Sequence, residues 1–216
     1  MGGAIPIRAL SLALSLSFGS CRTFDVPVEP DAGGADSEPV ILPAVLLADT
    51  YLDQGHPSQN HGDLAWAVVG SGFDSGEAKE LLVRFGYDAL LDEQAGGSIA
   101  EARLRLYYNY HGDGNPAGRE LTVHRVEQPW DEAEADWDNR PSFTSEPTSE
   151  AIVPANASTW IEWDVTADVN SDLQQAGGCH GWIVRDREAW GGGDAPQAYF
   201  DTREAGSYKP TLLIEL

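Results

Sequence analysis

The alternation of side chains over residues 99–109 constrains the fold of this chain most strongly. The even-numbered residues of 102–108 are apolar or aromatic, and the odd-numbered residues of 101–105 are charged. A period of two places these sets on opposite faces of a β-strand, whereas a helix would scatter them around its axis. The segment therefore predicts a strand with one face in a core.

Similar extended runs follow one another after residue 44, separated by segments rich in glycine and proline, of which the chain has 23 and 13. These residues favour turns between strands. One helix is expected at 166–176, where Val169 and Leu173 lie four residues apart and Gly177 can end it. The predicted strands are 45–52, 64–69, 79–87, 99–109, 120–126, 160–165, 181–186, 197–201 and 211–216.

About ten antiparallel strands with an apolar face must bury that face against a second layer. The sequence therefore predicts an all-β, antiparallel β-sandwich of the jelly-roll type with at most one short helix, and a closed barrel is the alternative. The strand at 120–126 is expected to be the hairpin partner of the strand at 99–109, and a polar turn joins the last two strands. Trp130 and Trp137 are expected to hold the irregular stretch 127–150 to the body.

The first 21 residues have the features of an export signal, because Arg8 precedes an apolar run at 9–18 that is too short to span a bilayer. Small residues precede Cys21, as in a bacterial lipobox, so acylation of Cys21 is expected. Secretion without a lipid and an uncleaved apolar start are the alternatives. Cys179 would then have no disulfide partner.

Residues 22–43 are rich in proline, glycine and acidic side chains, and they predict a disordered linker before a folded domain at 44–216. Together with the export signal, this organisation predicts a secreted protein or a lipid-anchored protein at the outer surface of the cell envelope. A lipid anchor would be its one link to the membrane.

The charge of the chain restricts its partners. It has 13 Lys and Arg against 35 Asp and Glu, a formal net charge of -22. This balance disfavours nucleic acid, whose phosphates must be neutralised, and it disfavours unaided binding to anionic lipid. The carboxylates either form a solvated acidic surface or include ligands of a hard cation.

Carbohydrate binding requires aromatic rings that stack on the apolar faces of sugars and polar groups that bind their hydroxyls. An anionic glycan would prefer Lys and Arg, whereas the first loop carries Asp53 and Asp63, so a neutral polysaccharide is favoured. For each aromatic ring the alternative is a role in the core or in anchoring a loop. The candidate ligand-binding residues are His56, Asn60, His61, Trp66, Tyr107, Tyr110, Trp190 and Arg203.

Asp49, Asp53 and Asp63 are the candidate ligands of a structural Ca²⁺, an ion that prefers carboxylate oxygens. The alternative is an architectural role, in which Asp49 pairs with Arg203 between the first and last strands while Asn60 ties the loop.

Motifs of catalysis are absent from the sequence, which has no Gly-x-Ser-x-Gly, no His-Glu-x-x-His and no P-loop. His56 and His61 lie five residues apart, but no third and fourth ligand of a transition metal can be named. Neighbouring carboxylates such as Asp131 and Glu132 are expected by chance in so acidic a chain, and a glycosidase needs two that face each other across a cleft. We predict that the protein is not an enzyme.

Six segments, taken in order, resemble the DNRLRE-type domain, which is related to disaggregatase-related repeats and to a class of carbohydrate-binding module. They are ADTYLDQGHPSQNHGD, LLVRFGYDALL, IAEARLRLYY, VHRVEQPWDEAEADWDNRP, WIEWDVTADV and FDTREAGSYKPTLLIEL, and they cover nearly all of residues 48–216. The resemblance implies a β-sandwich of exported bacterial and archaeal proteins, often beside polysaccharide-active enzymes, with glycan binding in some members. It favours a non-catalytic polysaccharide-binding module over a structural or adhesive surface protein without a glycan ligand.

Overall fold

The computed structural model describes residues 41–72, 75–87, 99–174 and 180–215, with side chains from Ala44 onward. The expected export signal with Cys21, residues 22–40 of the expected linker, and Cys179 lie outside the described residues. None of the described residues forms a helix long and apolar enough to cross a membrane.

Eleven strands and one helix make up the regular structure of the described residues. All nine predicted strands and the helix are present, with ends within two residues of those expected. The strands are β1 (Ile41–Pro43), β2 (Val45–Asp53), β3 (Trp66–Gly70), β4 (Lys79–Gly86), β5 (Glu101–His111), β6 (Glu120–Arg125), β7 (Ser149–Ile152), β8 (Thr159–Asp164), β9 (Trp182–Asp186), β10 (Gln197–Asp201) and β11 (Thr211–Glu215), and the helix is α1 (Thr166–Gln174).

The strands hydrogen-bond into one continuous sheet that folds over into two layers. The layers are connected between β3 and β4, which pair only at Gly70 and Lys79. The first layer has the order β2-β4-β9-β6-β7. In the second layer, β5 pairs along one edge with β8 and along the other with β11 and β10, which lead outward to β1 and β3. All of these pairings are antiparallel, and the predicted β-sandwich is confirmed.

The main core lies between the two layers. Phe85 of β4, Leu104 of β5, Trp163 of β8 and Ile214 of β11 all belong to this one cluster, and each is at most 1% exposed. Complete burial of such a side chain contributes roughly 1.5–3 kcal/mol to folding. The indole of Trp163 donates a hydrogen bond to the carbonyl oxygen of Leu121 at 3.0 Å, so its polar atom is also satisfied inside the core.

A second, smaller core lies on the other face of the first layer. Leu82 of β4 and Ile183 of β9 point to this side, where Trp130 and Val126 cover them and Trp137 packs against the cluster. The indole of Trp130 donates to the carbonyl oxygen of His180 at 2.8 Å. The predicted anchoring of the irregular stretch by its tryptophans is confirmed, and the second core accounts for the burial of Leu82 on the outer face of β4.

One prediction about strand pairing is wrong. β6 pairs with β9 and β7 and not with β5, whose partners are β8, β10 and β11. The last two strands are joined by a polar segment, as expected. They do not pair with each other, since both run antiparallel to the same edge of β5, with β10 along its end and β11 along its beginning. The segment 202–210 therefore leaves the line of these strands as a loop.

The beginning of the sheet also differs from the expected domain boundary. Ile41, Leu42 and Pro43 were assigned to the linker, but they form β1 and pair with Leu213, Ile214 and Glu215 of β11. β7 lies within and beyond the stretch expected to be irregular, and it forms the edge of the first layer beside β6.

Candidate functional site

Three aromatic rings form a row on the outer face of the second layer. Tyr199 points outward, because its neighbours Ala198 and Phe200 are fully buried in the main core. Its ring centroid lies 4.3 Å from that of Tyr110, in a stacked arrangement, and 5.5 Å from that of Trp66. We call Trp66, Tyr199 and Tyr110 the aromatic row. Tyr110 is 45% exposed, so one end of the row is open to solvent.

The other end of the aromatic row continues into the protein. The ring of Trp66 stacks at 5.7 Å on that of Tyr51, which in turn stacks at 4.0 Å on the imidazole of His61. Tyr51 and His61 are both buried, and burial lowers the pKa of His61. The structure therefore places the predicted ligand residue His61 behind the row, where its imidazole stacks on Tyr51.

A polar pocket of about 320 Å³ adjoins the aromatic row. Tyr199 borders it, together with Asp113, Asp194 and Gln197, and the Tyr199 hydroxyl donates to the side-chain oxygen of Gln197 at 3.1 Å. Burial raises the pKa of Tyr199, and the nearby Asp113 adds to the effect. The pocket thus offers carboxylate and amide oxygens, which accept hydrogen bonds from hydroxyl groups.

An irregularity in β5 explains why Tyr107 and Tyr110 both face outward. Residues three apart in a regular strand point to opposite faces. Here Tyr110 pairs with Tyr199 and Tyr108 pairs with Phe200, which leaves Asn109 as an extra residue in β5. Such a bulge re-aims the side chains that follow it. The side-chain amide of Asn109 donates to Asp201 at 2.7 Å.

Asn60 ties the first loop to residues 126–143, which cover the outer side of the first layer and are called the covering segment. Its side-chain amide donates to the carbonyl oxygens of Glu132 and Ala135, each at 2.7 Å, and its side-chain oxygen accepts from the amide of Gly62 at 3.1 Å. The predicted tying role is confirmed. The donors of Asn60 are used within the protein, which argues against its other predicted role as a ligand-binding residue.

Arg203 lies in a polar cluster with the buried Asp49 and the half-buried Glu132. Its backbone amide donates to Asp49 at 2.8 Å, and its guanidinium pairs with Glu132 and Glu204 and donates to the carbonyl oxygen of Leu47. Asp49 and Arg203 are thus linked as expected between the first and last strands. The contact to Asp49 is made by the backbone amide of Arg203, while its guanidinium binds Glu132.

The electrostatics of this cluster are unusual for a carboxyl group. Asp49 is 1% exposed, and one of its oxygens has no hydrogen-bond partner among the described residues. Burial raises the pKa of Asp49 to about 7, the backbone donor of Arg203 opposes this, and Glu204 and Glu132 add to it. Burial likewise raises the pKa of Glu132.

The three predicted cation ligands do not converge. Within the described part of the chain, the acidic groups whose oxygens lie within 4.8 Å of one another are Asp49, Glu132 and Glu204. Asp53 instead pairs with Lys79 at 3.4 Å, and it accepts from His56 and from the amide of Gly55. Burial acts to raise the pKa of Asp53, but Lys79, His56 and Gly55 outweigh it, so the pKa is lowered. Asp63 is exposed.

A family model for carbohydrate-binding module family 96 matches residues 44–216 of the chain. The protein belongs to carbohydrate-binding module family 96. This agrees with the carbohydrate-binding part of the resemblance drawn from the sequence. A search of curated proteins found no match.

Several residues of this family 96 module were missed by sequence reasoning. Tyr199 completes the aromatic row, and Trp160 and Tyr208 contact Tyr107. Their signal in the sequence is weak, because an aromatic residue in a short strand or loop is most often part of the core. In the sequence, Glu132 is only one of many neighbouring acidic residues. Its partner Arg203 lies 71 positions further along the chain.

The remaining candidates lie away from the aromatic row. His56 is exposed in the turn after β2 and bonds to Asp53 at 3.2 Å. Trp190 is half-buried, and its indole nitrogen has no hydrogen-bond partner among the described residues. The family 96 module therefore brings Trp66 and Tyr110 together in one surface, and it places Asn60, His61 and Arg203 in supporting contacts.

Proposed function

We propose that this module binds a polysaccharide without acting on it, through the aromatic row and the polar pocket beside it. The observation that carries the proposal is the exposed stack of Tyr110 on Tyr199 next to three oxygen-bearing side chains. The apolar faces of sugar rings stack on flat aromatic rings, and their hydroxyls bind carboxylate and amide oxygens. Both kinds of group occur side by side on this face.

The availability of the face supports the same function. The covering segment buries the outer side of the first layer in the second core. The outer side of the second layer carries Tyr110 and Tyr208, the two aromatic residues among the exposed large apolar side chains of the described residues. Exposed aromatic surface of this kind marks binding sites in soluble proteins.

The charge around the row favours a neutral polysaccharide over an anionic one. Asp113 and Asp194 line the pocket beside Tyr199, and the Asn109–Asp201 bond adds a third carboxylate at the bulge. These carboxylates accept hydrogen bonds from hydroxyls but repel a uronate, and the net charge of -22 acts in the same direction.

The wider setting completes the proposal. The export signal and the small residues before Cys21 support a protein that is secreted and lipid-anchored at the outer surface of the cell envelope. A lipid anchor is then its contact with the membrane, and nucleic acid is not a partner. A linker that is rich in proline and glycine would hold the module away from the membrane.

A glycan array with the purified protein tests the proposal, followed by calorimetry on any polysaccharide that binds. Tyr110→Ala should weaken binding about fivefold or more, because one stacked ring contributes about 1 kcal/mol or more. Ile152→Ala is the matched control, since Ile152 is 58% exposed but lies on the first layer. Absence of binding to any neutral or anionic glycan would favour a structural surface protein. Hydrolysis of an array member would contradict the non-catalytic role.

A further inference from the structure

We infer that a second group of rings, Tyr107, Trp160 and Tyr208, is a further sugar-stacking subsite on the same face. We call these residues the aromatic cluster. With the aromatic row it would let the module hold an internal stretch of a polysaccharide rather than a single sugar. This inference rests on the proposed function, and the experiment below separates the two.

The aromatic cluster is built from three different elements. Tyr107 of β5 and Trp160 of β8 are directly paired across the strands, with ring centroids 5.3 Å apart in an edge arrangement. Tyr208, in the loop between β10 and β11, stacks on Tyr107 at 4.2 Å and meets Trp160 at 6.3 Å. The three rings thus form one apolar surface.

The position of the cluster shows that it is not part of the main core. Leu106 and Tyr108, the chain neighbours of Tyr107, are fully buried. Tyr107 therefore points to the outer face. Tyr208 is 54% exposed, and its φ of 56° lies in the left-handed region that favours glycine. A loop that holds a large exposed ring in such a strained conformation is typical of binding surfaces rather than of packing.

Charged groups flank the cluster as they flank the row. The guanidinium of Arg105 lies 4.7 Å from the centre of the Trp160 ring, and it pairs with Glu162 at 2.7 Å. A cavity of about 310 Å³ beyond it is lined by Arg103, Glu101 and Leu213, among others. The arginines supply hydrogen-bond donors and the glutamates supply acceptors for hydroxyl groups. Because the two kinds of residue are paired, charges of both signs are present.

The spacing of the two ring groups implies an extended ligand. Tyr107 and Tyr110 are three residues apart, about 10 Å at the rise of a strand, which is longer than one sugar ring. Asn109 and Asp201 lie between them and carry polar groups. A ligand that contacts both ring groups must therefore be an oligosaccharide, and its chain would run along β5.

Oligosaccharide length is the variable that tests this inference. The probes are β-1,4-glucan, β-1,4-mannan, β-1,4-xylan and β-1,3-glucan oligosaccharides, from monosaccharide to hexasaccharide, with oligogalacturonides as the anionic series. Calorimetry on the purified protein should show affinity that rises at least tenfold from disaccharide to hexasaccharide. Tyr208→Ala should remove most of this gain and leave the affinity for the disaccharide unchanged.

The controls separate the ring from the loop. Tyr208→Phe keeps the ring and should bind as the unmodified protein does, and Ile152→Ala should have no effect. Tyr208 is exposed, so a thermal melt should find both Tyr208 variants folded. If short and long oligosaccharides bind equally and Tyr208→Ala binds normally, the second subsite is wrong while the proposed function stands. If none of the probes or their parent polysaccharides binds, both are contradicted.

Discussion

Asp49 shows how burial changes the chemistry of one carboxyl group. Its side chain is 1% exposed, and it faces Glu132 and Glu204 with a single guanidinium, that of Arg203, nearby. Three carboxyl groups thus share one positive charge. Burial disfavours the charged form of Asp49, so its pKa rises to about 7.

This shift predicts a pH-dependent stability. The unfolded chain releases the proton of an aspartic acid near pH 4, about three pH units lower, so the folded state binds an extra proton between about pH 4 and pH 7. The free energy of unfolding therefore falls as the pH rises through this window. Asp49→Asn should unfold with the same free energy near pH 4 and be more stable at pH 8, by on the order of 2–4 kcal/mol. Urea unfolding at several pH values measures this.

Asp53→Asn is the matched control with the opposite sign. Lys79, His56 and Gly55 outweigh burial and lower the pKa of Asp53, so its charged form stabilises the fold. That contribution is present above pH 4 and is lost as the pH falls through the lowered pKa. The variant should be less stable at pH 8, with a difference that shrinks in acid. A variant at Asp49 that is less stable at pH 8 would contradict the assignment of a costly buried charge.

At the scale of elements, two local departures from regular structure create the surface. The extra residue Asn109 turns Tyr110 to the same face as Tyr107. The loop 202–210 leaves the common line of β10 and β11, and it brings Tyr208 over Tyr107. The regular strands alone would present neither arrangement, because alternation separates neighbouring side chains onto two faces.

Two glycines with nearly the same backbone conformation test how an element is packed. Gly181 has a φ of 82° and Gly118 a φ of 83°. A Cβ at Gly181 would collide with the carbonyl oxygen of Val83 in β4, whereas a Cβ at Gly118 would meet no atom within 4 Å. Gly118→Ala should cost about 1 kcal/mol, the price of the left-handed conformation. Gly181→Ala should cost about 3 kcal/mol or more, since β9 must also move away from β4.

Urea unfolding of both variants measures the difference. Equal losses at the two positions would mean that the approach of Gly181 to β4 does not limit stability.

At the scale of the whole molecule, the two outer faces of the sandwich have different roles. One is closed by the segment that carries Trp130, and the other carries the aromatic row and the aromatic cluster. The closed face contains the buried carboxylate Glu80, which pairs with Arg185 and Arg140.

The start of the folded unit gives a prediction at this scale. β1 pairs with β11 over three residues, so a chain that begins at Ala44 leaves β11 as an open edge. Compared with a chain that begins at Glu38, it should be less stable by about 1–3 kcal/mol, because a few backbone hydrogen bonds are lost. Thermal and urea unfolding of the two chains measure this. Equal stability of the two chains would indicate that the folded unit begins at Ala44, the first residue of the family match.

Much of the fold could be predicted from the sequence because a strand's side-chain period is local. The alternation in β5 and the anchoring by Trp130 were both visible in short windows. The candidates Trp66 and Tyr110 were also found there, since aromatic residues near a sheet are conspicuous. The composition likewise indicated an acidic, all-β protein before any coordinates.

Only the tertiary structure decided which strands pair and which rings meet. β5 takes β8, β10 and β11 as partners and not the nearer β6, because pairing depends on the burial of faces far apart in the chain. The bulge at Asn109 exists only against β10, and Tyr199, Trp160 and Tyr208 reach the surface from three elements. Side-chain period is a property of neighbouring residues, whereas a binding surface is a property of strands brought together by their shared core.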